Sequence, residues 1–258
     1  MNSQELAEVQ AGFLNFARHC AATPGGEMGE DSGCHWFSTP INFPAFSGVG
    51  MTRAGSDADA AIDRTIERLN SKKMKWGWFL TPQCRPSDLA QRLEARGFRS
   101  VVKLTGMAAD FNDIVPTPQG PDEIEIREAA GDDDLRAYAS IYPMLFEPED
   151  QSFFPGVVEA ELGARSKTRR YIALRDGKPI SAGSTTSDGE VATLDTLCTL
   201  PEERNRGVGA VLALTALRNE QANGATRATI WAGPGAEKLY SRLGFRTVFP
   251  IDIFMATD

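Results

Sequence analysis

Two Asp-Gly dipeptides, Asp176-Gly177 and Asp188-Gly189, constrain this chain more than any other feature. Each separates short runs rich in apolar and β-branched residues, at 170–174, 180–186 and 190–198. Glycine accepts the positive φ of a tight hairpin turn, so the three runs are expected to be consecutive antiparallel strands. The meander is followed by a Gly-rich segment, an apolar helical pattern at 211–222, a short strand at 228–232, a helix at 235–243 and a last strand at 245–255. In that order a glycine-lined turn sits between the end of a strand and the start of a helix, where backbone amides can converge on an anion.

Upstream, 4–21 repeats Leu6, Val9, Phe13, Phe16 and Ala17 at helical spacing, whereas 23–33 is Gly-rich and without period. A helix followed by a mobile loop is expected. The stretch 36–52 reads as short, aromatic and extended, 57–69 as an amphipathic helix with an acidic start, and 75–80 as a strand. A helix at 86–95 with Gly97 as its stop leads to a strand at 98–108. The Pro-rich acidic stretch 112–122 withdraws amide donors from regular structure and is the natural linker, with its boundaries at 114–122. Beyond it come a strand at 123–127, a helix starting in the acidic run 132–134, and a Pro-punctuated region at 142–155. With 258 residues, two domains of similar size are expected, 1–113 and 123–258. The fold class is α/β, a mixed but mostly antiparallel sheet flanked by helices.

A net charge of -8 argues against a nucleic-acid or anionic-membrane partner and favours a small cationic one. Cys20, Cys34, Cys84 and Cys198 lie far apart with no C-x-x-C pair, so no metal and no disulfide framework is expected. No apolar stretch is long enough to span a membrane, and the first residues lack the pattern of a signal peptide. A cytoplasmic protein, monomer or homodimer, follows.

The chemistry concentrates in Leu197-Cys198-Thr199-Leu200-Pro201-Glu202-Glu203-Arg204-Asn205-Arg206-Gly207-Val208-Gly209-Ala210. It contains R-x-x-G-x-G between strand and helix, and the glycines let backbone amides approach a pyrophosphate closely. A dinucleotide-binding G-x-G-x-x-G is excluded, because Leu212 stands at its third glycine and the preceding strands are hairpin-linked. The segment resembles the signature of the GNAT acyltransferase superfamily. The resemblance extends to Ala236-Glu237-Lys238-Leu239-Tyr240-Ser241-Arg242-Leu243-Gly244-Phe245, which is similar to the family's later A-x-x-L-Y-x-x-x-G-F element. Two ordered motifs in the right setting are far more specific than either alone.

The resemblance implies that acetyl-CoA is the co-substrate, held by Arg204, Asn205, Arg206, Gly207, Val208, Gly209 and Ala210 at its pyrophosphate. Backbone amides at Leu197, Cys198 and Thr199 would hold the thioester carbonyl and stabilise the oxyanion as an amine attacks. Tyr240 falls where the family's tyrosine protonates the departing thiolate; its alternative role is packing against the sheet. The family often uses a carboxylate as base, and Asp195 is the only acid within 191–200. Period-2 alternation puts Asp195 on the face of Leu197 and Thr199, and its alternative is a solvated strand face. Cys198 is read as a small strand residue, since His19 and His35 lie in the other half of the chain. Where the family often carries an asparagine that bonds the pantetheine arm, three residues before Ala236, stands Gly233.

Trp78-Phe79-Leu80-Thr81-Pro82, a helix, and Leu93-Glu94-Ala95-Arg96-Gly97-Phe98 repeat the late layout from Ile230-Trp231-Ala232 to Leu243-Gly244-Phe245. The chain is thus similar to tandem GNAT proteins in which one copy is degenerate. The first copy has Arg53-Ala54-Gly55-Ser56 in place of R-x-x-G-x-G and no matching tyrosine, so it is read as non-catalytic. His35, Trp36, Phe37, Phe43 and Phe46 are either core or the lining of an acceptor pocket. The function implied is an N-acetyltransferase acting on a small primary amine by direct attack in a ternary complex. A non-catalytic acyl-CoA-binding module and an aminoacyl-transfer enzyme are the alternatives, the last disfavoured by the acidic balance.

Overall fold

A computed structural model of the chain describes residues 3–116, 121, 123–146, 152–163 and 168–257. The elements run α1 (Ser3–Ala21), β1 (Glu27–Asp31), β2 (Cys34–Ser38), β3 (Gly48–Thr52), α2 (Ala58–Ser71), β4 (Gly77–Leu80), α3 (Leu89–Glu94) and β5 (Phe98–Asp110) in the first half. The second half gives β6 (Ile124–Glu128), α4 (Gly131–Ile141), α5 (Phe154–Gly163), β7 (Arg169–Arg175), β8 (Lys178–Ser187), β9 (Val191–Thr199), α6 (Val208–Ala222), β10 (Arg227–Ala232), α7 (Glu237–Arg242) and β11 (Arg246–Ala256). Among the described residues no helix is long and apolar enough to cross a membrane.

Most expected elements are present, and the β7–β8–β9 meander has the expected turns, with φ of 50° at Asp176 and 73° at Gly177. Two segments depart from expectation. Residues 27–31, read as part of a mobile loop, form edge strand β1 on β2, and their mostly exposed side chains explain why no apolar alternation marked them. Within 142–155, Tyr142–Phe146 is a 3₁₀ turn and Phe154 opens helix α5, started by an aromatic pair that carries no capping signal. Of the linker, Thr117, Pro118, Gln119, Gly120 and Asp122 lie outside the described residues. Its first residues are docked on the second half: Ile114 is buried, the Val115 amide donates to the Leu243 carbonyl, and Arg218 donates to the carbonyls of Ile114 and Val115.

All strands join one mixed sheet in the order β1-β2-β3-β4-β11-β5-β10-β9-β8-β7-β6. The two halves interlock at its centre. The last strand of the second half, β11, lies between β4 and β5, while the last strand of the first half, β5, lies between β11 and β10. Each half therefore completes the other's sheet, and β5 and β11 pair antiparallel from Phe98–Ala256 to Ala108–Arg246.

A second tie is α1, which crosses from the first half onto β9 and β10. Gly12 lets it sit close: a Cβ there would lie 2.7 Å from Thr193 Oγ1 and 3.1 Å from Thr229 Oγ1. Phe13 stacks on Trp231 at 4.1 Å, and Trp231 Nε1 donates to the Val9 carbonyl. Arg227 pairs with Glu8, and Arg246 with Glu5, at the same seam. The aromatic run of the first half is core: Phe37 and Phe46 are buried, Phe43 stacks on Phe153 at 4.6 Å, and Phe46 meets Tyr142 edge-on. Trp36 packs in the first half's own core, and His35 stays half-exposed beside Glu30. One continuous aromatic cluster thus holds the halves together, which makes large-to-small changes there costly.

Candidate active site

The parallel ladder between β9 and β10 runs from Val191–Arg227 to Leu194–Ile230 and then stops, although both strands continue. Beyond that point the strands splay, and no strand pairs with the β10-facing edge of 195–199 among the described residues. Leu197, Cys198 and Thr199 form this open edge. The Leu197 side chain packs toward α6, and the buried Cys198 thiol points to the opposite face among Tyr138 and Ile141. Cys198 is therefore a packing residue in the sheet. Thr199 Oγ1 lies 2.9 Å from Ser181 Oγ, and its carbonyl accepts from Arg204 Nε at 3.1 Å.

After Thr199 the chain makes a 3₁₀ turn at Pro201–Glu203 and enters α6 through Asn205, at φ 62°, and Gly207, at φ 83°. Gly207 needs its glycine for that left-handed conformation, whereas Gly209 is small for contact, a Cβ there lying 3.1 Å from Thr199 Oγ1. The amides of Gly207, Val208, Gly209 and Ala210 find no acceptor among the described residues. They open α6 at its positive end, beside the exposed Arg204 and Arg206. Buried Glu203 is tied to Arg175 at 3.1 Å and Arg206 at 3.5 Å, which limits its repulsion of an anion. Val208 itself is a buried anchor of the helix start.

Tyr240 on α7 is buried among residues of α6, β9 and β10, meeting Phe245 edge-on at 5.9 Å. Burial pushes its phenol well above the ordinary range, so it holds its proton.

Asp195 lies on the other side of the strand from where alternation put it. In the β8–β9 register Ser184 faces Thr196 and Thr185 faces Leu194, so Asp195 is the extra residue of a β-bulge. The bulge turns Asp195 and Thr196 to one face and sends Leu197 toward α6. The solvated alternative is also excluded: Asp195 Oδ1 is fully enclosed and unpartnered among the described residues, while Oδ2 accepts from Thr186 Oγ1 at 2.9 Å. Burial pushes its pKa up to about 8, against the hydrogen bond from Thr186 and with the charge of Glu220.

Asp195 faces a small cavity of about 10 Å³, room for roughly one water. Its wall brings in residues that sequence reasoning did not connect: His19 from α1, Tyr138 from α4, Glu161 from α5, and Ser184 from β8. His19 Nε2 is 3.1 Å from Glu161 Oε1, and Glu161 Oε2 accepts from Arg170 Nε at 2.5 Å. Burial opposes ionisation of Glu161, but the hydrogen bond and charge of His19 and the charge of Arg170 outweigh it and hold the carboxyl below its usual range. Tyr138 hydroxyl shares a hydrogen bond with Thr196 Oγ1 at 2.9 Å. No sequence signal ties His19 to Asp195, because their proximity depends on α1 crossing between halves.

The profile of an acetyltransferase (GNAT) domain matches residues 147–253, a span that holds the loop, Asp195 and Tyr240. Over these residues the chain is similar to the GNAT acetyltransferase domain family. It is similar over 97% of its length to a GCN5-related N-acetyltransferase from Kribbella flavida, covering 96% of that chain at 17% identity with a TM-score of 0.68. It is also similar to a functionally unknown conserved protein from Staphylococcus epidermidis, with 89% of this chain and 93% of that one covered, 13% identity and a TM-score of 0.67. A tandem GNAT protein from the clavulanic acid biosynthesis pathway aligns over 100% of this chain and 96% of its own, at 12% identity and a TM-score of 0.62. No curated protein sequence matches the chain. The GNAT fold accordingly spans both halves, while the matched GNAT profile leaves out α1, the element that carries His19 into the cavity.

Proposed function

We propose that the chain transfers an acetyl group from acetyl-CoA to a small primary amine, by direct attack in a ternary complex, at a single site in its second half. The observation that carries this reading is the conjunction of amides at Gly207–Ala210 that find no acceptor among the described residues with the unpaired edge of β9 that leads to them. A diphosphate suits the loop by charge and donor geometry. An extended arm lying along the open edge of β9 would bring a thioester to Leu197, Cys198 and Thr199, where the amides of Leu197 and Thr199, which alternate away from β8, would receive the oxyanion while the Cys198 backbone turns toward β8. Tyr240, holding its proton, would give it to the departing thiolate, and Asp195 would take the proton that the attacking amine must lose. Holding the two reactants together supplies much of the rate in such a scheme. The domain division at 114–122 belongs to the same reading, with the first half as support for the second.

The test is thiol release from acetyl-CoA against a panel of primary amines, with the full chain. Amine-dependent release of CoA supports the reading. CoA binding without release for any amine would leave a binding module instead, and release that depends on tRNA would point to aminoacyl transfer.

A further inference from the structure

Where β3 and β4 end, the first half carries an open groove of about 490 Å³ lined by Leu6, Arg53, Pro82, Gln83 and Arg85. Its place follows from the sheet. Strand β3 runs parallel to β4, β4 antiparallel to β11, β11 to β5 and β5 to β10, which runs parallel to β9. The carboxyl ends of β3 and β4 therefore lie at the opposite end of the sheet from the open edge of β9 and the Gly207 loop. The groove is a site apart from the candidate acyl-CoA cleft.

The backbone bridge that sets Arg53 beside Arg85 brings two guanidinium groups into one groove. Like charges on neighbouring strands repel, and no carboxylate lines the groove to offset them. Arg53 Nη2 donates only to Gln83 Oε1, at 3.4 Å, and Arg85 Nη1 donates to the carbonyls of Pro82 and Cys84 at 3.0 and 2.7 Å. Arg85 Nε and Nη2 and Arg53 Nε and Nη1 stay unengaged among the described residues. The acids next along the chain are committed elsewhere, Asp57 to Arg64 and Asp59 to Arg92 and Arg96. They also belong to the other face of the sheet, where Ala54 packs in the core beneath α2, while Arg53 shares its groove with Leu6 of α1. In a chain of net charge -8, two adjacent cations without an acid mark a place for an anion from outside.

A guanidinium matches a carboxylate through two parallel N–H···O bonds, which favours an oxyanion of that shape. Leu6 and Pro82 add apolar wall, and the groove has room for far more than an inorganic ion. We propose that this groove binds a small organic acid, its carboxylate shared by Arg53 and Arg85 and its hydrocarbon body resting on Leu6 and Pro82. The first half has thus kept a cleft for a ligand of its own, although the acidic start of α2 disfavours a diphosphate. The site does not depend on the acyl-transfer reading.

Hexanoate serves as the probe, with acetate and inorganic phosphate beside it, titrated into the full chain at low ionic strength and followed by ligand-observed NMR. Hexanoate should bind saturably and about 10-fold more tightly than acetate, which lacks the body. Arg53→Gln and Arg85→Gln should each weaken hexanoate at least 10-fold. Leu6→Ala should remove most of the margin over acetate. Without ligand, Arg53→Gln should keep or exceed the wild-type Tm, since one of two repelling charges is gone; hexanoate should raise Tm in the wild type alone. A variant with an intact melting transition and no such rise has lost the site and not the fold. Failure of hexanoate to bind, or equal binding to the wild type and the double arginine variant, overturns the site. Phosphate binding more tightly than hexanoate overturns the organic acid as its ligand. Hexanoate displaced by acetyl-CoA, or lost in Gly207→Val, would put the anion in the second-half cleft and overturn the assignment. Hexanoate bound by a chain that releases no thiol with any amine would remove the acyl-transfer reading and leave this site standing.

Discussion

The first half fills, with its own backbone, the gap that the second half leaves open. In the second half the chain leaves β10 through Gly233–Ala236 and turns at once into α7, and among the described residues no strand pairs with 195–199 of β9 on that side. In the first half the equivalent connection, from Thr81 to Asp88, is longer and folds back. The Arg85 amide donates to the Thr52 carbonyl at 2.8 Å, and the Ala54 amide donates to the Arg85 carbonyl at 3.1 Å. Arg85 thus forms a parallel bridge with Arg53 where an extended ligand would need those same groups. The helix starts differ as well. Asp57 and Asp59 open α2, and Asp59 is held by Arg92 and Arg96, whereas the first turn of α6 has no acid. A diphosphate would meet negative charge at one helix and free amides at the other. The shared order, β3-α2-β4-α3-β5 in one half and β9-α6-β10-α7-β11 in the other, therefore gives one candidate acyl-CoA site, and the difference lies in one loop and a few charges.

The interlocked strands and the crossing α1 make the comparison one of two regions within a single folding unit. The largest effect is expected at their shared core: Phe13→Ala removes a ring that contacts Phe16, Phe37, Phe79 and Trp231 and should cost about 3–5 kcal/mol. Chemical denaturation should still show one transition for the whole chain, and two separated transitions would break the single-unit view. Next, Gly207→Val forces a β-branched residue to φ 83° and should weaken acetyl-CoA binding at least 100-fold, roughly 3 kcal/mol. The matching Gly55→Val in the first half, where an added Cβ meets nothing within 4 Å, should leave affinity unchanged. Equal losses from both would contradict the asymmetry. Tyr240→Phe should lower turnover about 10- to 100-fold with little change in cofactor affinity, and unchanged turnover would remove Tyr240 from the reaction.

A separate effect concerns stability and pH. Asp195 has a folded pKa of about 8, raised by burial above the ordinary carboxyl range, so the folded state binds more protons than the unfolded one. Stability should therefore fall as pH rises from the ordinary carboxyl range toward 8. Asp195→Asn should match the wild type near the acidic end of that window and exceed it in Tm by a growing margin toward pH 8. A margin that shrinks with pH would show that the carboxyl is not held in its neutral form. The same variant should flatten the rise of kcat/KM with pH, and an intact profile would remove Asp195 as base.

Much of this organisation was legible in the sequence because it depends on local rules. The Asp-Gly turns, the R-x-x-G-x-G loop and the Leu239-Tyr240 motif each act within a few residues, and the meander, Gly207 and α7 follow from them. What depends on distant pairing was not legible. The bulge at Asp195 arises from the β8–β9 register and reverses the face that alternation assigns. The exchange of β5 and β11 needs both halves present, and so does the approach of His19 to the Asp195 cavity. Strand β1 was missed because an edge strand with exposed side chains carries no hydrophobic period.

Isothermal titration of the full chain with acetyl-CoA tests the difference between the halves most directly. The account predicts one binding site per chain, lost in Gly207→Val and retained in Gly55→Val. Two sites per chain, or binding that survives Gly207→Val, would contradict it.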